Sequence, residues 1–156
     1  MPRPPLISAL VLYIIVSLTA CAGKPKATYP KALRKDLQVD TALIAVIPYS
    51  GEWLSGKNTP AALTMDDMKQ IESLLKSCAR NNKVIDLKRG NYKRQYVAVT
   101  NDKGEKIVWI NCFCQTDGEN WKTTIIMVHD GGICYFHLKV NLTKGVYSDF
   151  WVNGYA

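Results

Sequence analysis

The sequence predicts a single α+β domain in which one amphipathic helix packs on a curved antiparallel meander sheet. One segment, residues 64–80, carries apolar residues at helical spacing. From residue 92 onward, short apolar segments alternate with glycine-containing turns at the spacing of hairpins. The 136 residues that follow the N-terminal apolar segment are enough for one domain with a core of its own.

The chain begins with a pattern typical of export. Residues 6–20 are apolar apart from three Ser and Thr residues, and Arg3 precedes them. As a helix, these 15 residues would extend about 22 Å, less than the roughly 30 Å hydrocarbon core of a bilayer. A single cation before a short apolar segment that ends in small residues is typical of a secretory signal peptide. Residues 1–20 are therefore predicted to be a cleaved signal, with an uncleaved anchor helix as the alternative.

The signal ends in a specific four-residue pattern, Leu18-Thr19-Ala20-Cys21. This pattern resembles the lipobox of bacterial lipoproteins. The resemblance implies that the thiol of Cys21 receives a diacylglycerol, that the signal is cut before it, and that the new amino group is acylated. Two or three acyl chains hold a protein stably at a bilayer, so membrane lipid is the first expected partner. We expect a lipid-anchored protein of the bacterial cell envelope, and Ala22 after the cysteine favours the outer membrane, on its periplasmic or surface face.

Residues 21–40 are predicted to be a lipidated tether and residues 41–156 the folded domain. The tether contains glycine, two prolines and several basic residues, a composition typical of a linker. Residues 41–47 form a β-compatible apolar run that ends at Pro48, and residues 53–60 are predicted to be a loop.

The helix is predicted to begin after Thr64 and to end near Arg80. Thr64 followed by Asp67 is a variant of the capping box, in which side chains satisfy the free N–H groups of the first turn. The apolar stripe, which should pack on the sheet, consists of Met68, Ile71, Leu74, Leu75 and Cys78. The opposite side, which should face away from the sheet, carries Lys69, Glu72, Ser73, Lys76 and Arg80.

Five strands are predicted after the helix, at residues 92–100, 106–115, 121–129, 133–142 and 146–153. Short glycine-containing turns separate all five, and connections this short make neighbouring strands antiparallel. Alternation puts Cys134, Phe136 and Leu138 on the core side of the fourth predicted strand. The second predicted strand is apolar on both sides, so it is central or has both faces covered. One helix on such a sheet is similar to the cystatin-like and NTF2-like architectures, a likeness that implies no function.

The C-terminal part also carries a set of short motifs. These are Gly-Gly-x-Cys-Tyr-Phe at residues 131–136, Asn-Leu-Thr-x-Gly at 141–145 and Val-Asn-Gly at 152–154. In this part the chain resembles small exported proteins and lipoproteins of Bacteroidetes. The resemblance implies an exported chain and supplies no activity or catalytic residue.

Four cysteines remain once Cys21 is assigned to lipid. An even number in an exported chain suggests disulfides, among Cys78, Cys112, Cys114 and Cys134. A bond between Cys134 and either Cys112 or Cys114 is one expectation, and buried free thiols are the other. Cys-x-Cys on a strand is not the usual spacing of a structural zinc site, so no metal is expected.

The candidate binding surface is a set of aromatic and polar residues on the outer side of the last two predicted strands. It consists of Tyr135, His137, Tyr147, Asp149 and Trp151, which Trp109 could extend. Aromatic rings with interspersed polar groups suit the recognition of a glycan or a protein of the envelope. The alternative is that this face is covered by the N-terminal strand, by the loop around Trp53 or by a second subunit.

The charge limits the other partners. Without residues 1–20 the chain carries 19 basic and 13 acidic residues, a balance that favours anionic surfaces. Nucleic acid is not expected outside the cytoplasm, and the sequence contains no phosphate-binding loop or other cofactor motif.

We therefore expect a non-enzymatic binding, inhibitory or envelope-interaction module. One alternative is a small hydrolase or thiol enzyme that uses Cys134 with His129 or Asp130. Another is a structural lipoprotein of envelope assembly.

Overall fold

The computed structural model describes residues 38–88, 91–116 and 120–155. The predicted signal peptide, the lipobox with Cys21 and most of the tether lie outside the described residues. Within the described part of the chain, no helix has both the length and the apolar character needed to cross a membrane.

The helix, α1, spans Met65–Asn81 and confirms the predicted segment. The Thr64 hydroxyl accepts a hydrogen bond from the backbone N–H of Asp67 at 3.1 Å. In return, the Asp67 carboxylate accepts one from the backbone N–H of Thr64 at 2.9 Å, which completes the predicted capping box. Lys106 of the sheet binds the same carboxylate at 2.9 Å, so the cap also ties the helix to the sheet.

One residue on the predicted outer side of the helix is buried instead. Glu72 is only 5 % exposed, because its carboxylate lies 3.3 Å from the guanidinium of Arg94 and accepts a hydrogen bond from Tyr96 at 3.0 Å. The expectation that Glu72 faces away from the sheet is therefore wrong. The buried face of the helix is wider than its apolar stripe, because a charged side chain can be buried where the sheet supplies a partner of opposite charge.

The strands form one six-stranded sheet in the order β1-β3-β4-β5-β6, with β2 paired to β3. Their bounds are β1 Ile44–Val46, β2 Asn58–Pro60, β3 Lys93–Asn101, β4 Lys106–Phe113, β5 Tyr135–Asn141 and β6 Val146–Val152. The four strands from β3 to β6 form an antiparallel meander in which each pairs with the next. They correspond to four of the five strands predicted after the helix, and the direct pairing of β4 with β5 was not predicted.

The sheet is nevertheless mixed, which corrects the prediction of a purely antiparallel sheet. β1 runs parallel to β3, with Ala45 opposite Gln95. The connection from β1 to β3 contains the helix, and a long crossover of this kind allows parallel pairing. Part of the predicted loop 53–60 also joins the sheet, since β2 pairs antiparallel with the far end of β3.

The predicted strand at residues 121–129 is not formed. This segment runs as a loop over the sheet without joining the strand ladder. Its apolar pattern reflects burial against the sheet: Ile126 is 5 % exposed, and Trp121 and Ile125 pack on the same cluster as Trp109. Alternating apolar residues alone do not distinguish a strand from an extended loop that covers a core.

Both faces of the sheet are therefore covered. The helix covers one face, where its apolar stripe meets Tyr96, Ile110 and Leu138. On the opposite face, Ile47 and Leu54 pack on Val97 and Trp109. This double coverage explains why β4 is apolar on both sides, as the sequence predicted.

Candidate binding cleft

A cleft of about 390 Å³ lies on the face of the sheet opposite the helix. The segment around Trp53 bounds it on one side and residues 126–129 bound it on the other. The strands β4, β5 and β6 supply its base through Trp109, His137 and Trp151. The cleft is therefore the part of this face that the two covering segments leave open.

Two stacked indole rings line part of the cleft. The ring of Trp53 lies 5.0 Å from the ring of Trp109, with 20° between their planes. Trp53 takes a left-handed backbone conformation with φ at 70°, which is uncommon for a bulky residue and costs on the order of 1–3 kcal/mol. Packing of the indole on Trp109 offsets that cost.

Residues 126–129, which form one wall of the cleft, belong to a loop that begins at residue 121. Side-chain amides of the sheet hold this loop in place. Gln95 is fully buried, and its Nε2 donates to the backbone carbonyls of Trp121 and Thr124, both at 2.6 Å. Its Oε1 accepts from the backbone N–H of Ile126 at 2.9 Å. Asn111 donates to the carbonyl of Ile126 at 2.7 Å. These amides satisfy backbone groups that a strand ladder would otherwise pair.

The C-terminal residues fasten the other end of this wall. Asn153 donates from Nδ2 to the carbonyl of Val128 and, at 3.1 Å, to that of Asp130. Gly131 follows with φ at 83°, and a Cβ there would lie 2.6 Å from the ring of Tyr135. The Gly-Gly-x-Cys-Tyr-Phe and Val-Asn-Gly motifs therefore meet at one end of the cleft.

The base of the cleft carries aromatic and charged side chains side by side. His137 of β5 lies opposite Trp151 of β6, and its ring centroid is 6.1 Å from that of Trp109. Lys139 forms an ion pair with Asp149 across the same two strands, with 3.0 Å between Nζ and Oδ2. Trp151 is 63 % exposed, so most of its ring is available for contact.

Burial lowers the pKa of His137 below its usual value of 6.5. The ammonium of Lys139 lowers this pKa further, and the carboxylate of Asp149 partly opposes the shift. The imidazole is therefore mainly neutral at pH 7 and can both donate and accept a hydrogen bond.

Four of the five predicted binding residues lie in this cleft: Tyr135, His137, Asp149 and Trp151. Tyr147 does not. It lies opposite Val140, packs on the helix side of the sheet, and accepts a hydrogen bond from Asn81 of the helix at 3.0 Å.

A β-bulge explains why Tyr147 lies on the helix side of the sheet. The register between β5 and β6 shifts between His137 and Lys139, and Asp149 has φ at 51°. One extra residue in β6 reverses the alternation, so Tyr147 and Trp151 face opposite sides.

Other residues of the cleft could not be identified from strand alternation. Trp53 and residues 126–129 come from loops, whose position depends on tertiary contacts. Asn111 lies on the second predicted strand, but its partners are backbone groups of a loop. The terminal Val-Asn-Gly motif was the only sequence signal that included Asn153.

The structure joins Cys114 to Cys134, one of the two pairings considered for Cys134, with 5.2 Å between the Cα atoms. Cys78 and Cys112 are buried free thiols. Burial raises the pKa of Cys78 to about 11 and raises that of Cys112 further, so both thiols are protonated and unreactive at neutral pH. Cys134 precedes β5 in a short 3-10 turn, and its sulfur, being bonded to Cys114, is not a free nucleophile beside His129 or Asp130.

Across the described ranges, no group of three or more His, Cys, Asp and Glu side chains could hold a metal ion. Comparisons with protein-family models, with characterised proteins and with solved structures give no match to this chain.

Proposed function

We propose that this chain is a bacterial lipoprotein of the cell envelope, anchored through an acylated Cys21, whose domain binds a glycan in the cleft without catalysing a reaction. The lipid anchor is inferred from the lipobox-like Leu18-Thr19-Ala20-Cys21 and the short apolar segment before it. We also propose that the domain is a variant of the cystatin-like or NTF2-like architectures, on the basis of one long helix laid over a four-stranded meander.

The observation that carries the proposed binding function is the composition of the cleft. It combines an exposed indole, Trp151, with hydrogen-bonding groups on His137, Lys139 and Asp149. A sugar ring has apolar C–H faces and a polar edge, and it is suited to a site with an aromatic face beside donors and acceptors. A concave site of about 390 Å³ is of the size that small ligands occupy.

The cleft favours a sugar over an extended protein surface. It is lined by the stacked pair of Trp53 and Trp109, and the loop that forms one of its walls is held by Gln95, Asn111 and Asn153. A preformed concave site loses little entropy on binding a small ligand.

The anchor is tested by mass spectrometry of the full chain purified from bacterial membranes. The proposal expects an N-terminal Cys21 that carries a diacylglycerol. Recovery of residues 1–20 with no fatty acid on Cys21 contradicts it.

The binding function is tested with the same detergent-solubilised protein on an array of immobilised oligosaccharides. Replacement of Trp151 by alanine is expected to lower binding at least tenfold. Met65→Ala is the matched control, because Met65 is an exposed apolar side chain at the start of the helix, away from the cleft. Absence of binding to every oligosaccharide, or equal loss in both variants, contradicts a glycan-binding cleft.

A further inference from the structure

The charges inside the cleft differ from those of the chain as a whole. Among the described residues that line it, Lys139 and Asp149 are the only Lys, Arg, Asp or Glu side chains. Their charged atoms lie 3.0 Å apart, so the two charges cancel where a ligand would bind. The chain as a whole carries a formal net charge of +7.

We propose that the cleft selects uncharged, polyhydroxylated sugar units and discriminates against acidic ones. This inference rests on the proposed glycan-binding function and names the class of ligand for that site.

The ion pair leaves hydrogen-bonding capacity for a ligand. An ammonium group has three N–H donors, and the pair with Asp149 uses one of them. A carboxylate has two oxygens with about four acceptor sites. The side chains of Lys139 and Asp149 are 29 % and 60 % exposed, so both groups can be reached from the cleft.

Neighbouring hydroxyl groups match this pair, because each hydroxyl both donates and accepts a hydrogen bond. One hydroxyl can accept from Lys139 while the next donates to Asp149, and the ion pair stays intact. The carboxylate of a uronic acid accepts from Lys139 but is repelled by Asp149, which lies beside the same ammonium.

The remaining groups of the cleft agree with a neutral ligand. His137 lies beside the pair and is mainly uncharged at pH 7, since burial and Lys139 both lower its pKa. Trp151, opposite His137, offers an apolar ring face rather than a charge. His129, the remaining titratable side chain at the rim apart from Tyr135, is exposed on the loop wall.

The backbone conformation at residue 149 suits an aspartate whose carboxylate lies beside Lys139. Asp149 is the bulged residue of β6 and has φ at 51°, a region in which Asp and Asn are enriched over other residues with a side chain. The bulge brings its carboxylate to the side of the sheet that carries Lys139. Replacement by asparagine keeps this backbone preference and removes the charge, so Asp149→Asn tests the effect of the charge alone.

The experiment measures binding of the full-length, lipidated protein in detergent by isothermal titration calorimetry. The probes are two matched pairs that differ in the group at C6: galactotetraose against tetragalacturonate, and mannotetraose against tetramannuronate. We expect a neutral tetrasaccharide to bind at least tenfold more tightly than its uronate. We also expect its affinity to change less than twofold between 20 and 150 mM salt, because no net charge is neutralised.

Asp149→Asn should reverse the preference, since Lys139 then presents an unbalanced positive charge to the uronate. Asp66→Asn is the control, because it removes a carboxylate of the helix that pairs with Lys69 at 3.8 Å, away from the cleft. This control should leave the preference unchanged.

The two proposals fail in different ways. Equal or tighter binding of the uronates by the native protein overturns the selection of neutral sugars and leaves glycan binding intact. A preference that is the same in Asp149→Asn also overturns it. Failure of both the tetrasaccharides and the wider oligosaccharide array to bind overturns the glycan-binding function, and the inference falls with it.

Discussion

Asn111 donates a hydrogen bond from Nδ2 to Oε1 of Gln95 at 3.1 Å, between directly opposed positions of β4 and β3. The two amides are 8 % and 0 % exposed, and together they bind the backbone of the loop at residues 121–126. The pair of Gln95 and Asn111 therefore holds in place the loop that forms one wall of the cleft. It does so by binding backbone groups that a neighbouring strand would otherwise pair.

The first prediction concerns this amide pair. Gln95→Met is expected to lower the free energy of unfolding by about 1–3 kcal/mol, because buried backbone groups of the loop lose their partners. Urea unfolding of the purified protein measures the change. Thr123→Ala, an exposed change in the same loop, should cost less than about 0.5 kcal/mol. Equal effects of the two variants would show that Gln95 does not support the loop.

The second prediction separates Tyr147 from Trp151. Tyr147→Ala should destabilise the fold by about 1–3 kcal/mol, because it removes packing on the helix side and the hydrogen bond with Asn81. Trp151→Ala should change stability by less than about 0.5 kcal/mol, because the indole is 63 % exposed. Oligosaccharide binding should instead be lowered more by Trp151→Ala than by Tyr147→Ala. If one variant had the larger effect on both stability and binding, that would contradict the placement of these residues on opposite faces.

The third prediction concerns the buried ion pair between Glu72 and Arg94. Glu72→Met should destabilise by about 3–5 kcal/mol, because it leaves the guanidinium buried without its partner. The double variant with Arg94→Met should recover most of the loss, since it removes both charges. Asp66→Ala, at a carboxylate that is 91 % exposed, is the control and should have little effect. A double variant as unstable as Glu72→Met would contradict this account.

The fourth prediction concerns the cysteines. Replacement of Cys114 and Cys134 by serine should lower the free energy of unfolding by about 3 kcal/mol, because the bond closes a loop with a sequence separation of 20 in the unfolded chain. Reduction of the native protein with dithiothreitol should have the same effect, and the serine variant should not respond. Peptide mapping after treatment with iodoacetamide should find Cys78 and Cys112 modified only after unfolding. Rapid labelling of either thiol in the folded protein would contradict their burial.

The fifth prediction concerns pH. The pKa of His137 is lower in the folded protein than its usual 6.5. As the pH falls below 6.5, the unfolded chain therefore binds more protons than the folded protein does. The stability associated with neutral His137 is therefore fully present above pH 6.5 and is lost as the pH falls through the folded-state pKa. Unfolding measured from pH 8 to pH 5 should show this loss, and His137→Gln should reduce it. A native pH dependence that persists unchanged in His137→Gln would contradict the assignment.

The local elements could be predicted from the sequence to the extent that neighbouring residues specify them. Thr64 and Asp67 define the start of the helix because the capping box is formed within one turn. The antiparallel pairs β3–β4 and β5–β6 were predictable because short turns leave the chain no other direction. The parallel pairing of β1 was not predicted, since its partner is about fifty residues away in the chain.

The candidate cleft was partly predictable for the same reason. His137 and Trp151 follow from alternation in two strands, but the side on which Tyr147 lies depends on a bulge that involves the pairing of both strands. Trp53 and Asn153 reach the cleft only through contacts with distant parts of the chain.

The sequence alone was sufficient for the helix, the two hairpins β3–β4 and β5–β6, and the amphipathic pattern of β5, because short-range hydrogen bonds and side-chain periodicity encode them. Folding in three dimensions was needed to turn residues 121–129 into a supported loop, to bury Glu72 and to bring Lys139 beside Asp149. Each of these depends on the partner that a polar group finds across the sheet, and the energy of such a pair depends on burial and distance rather than on local sequence.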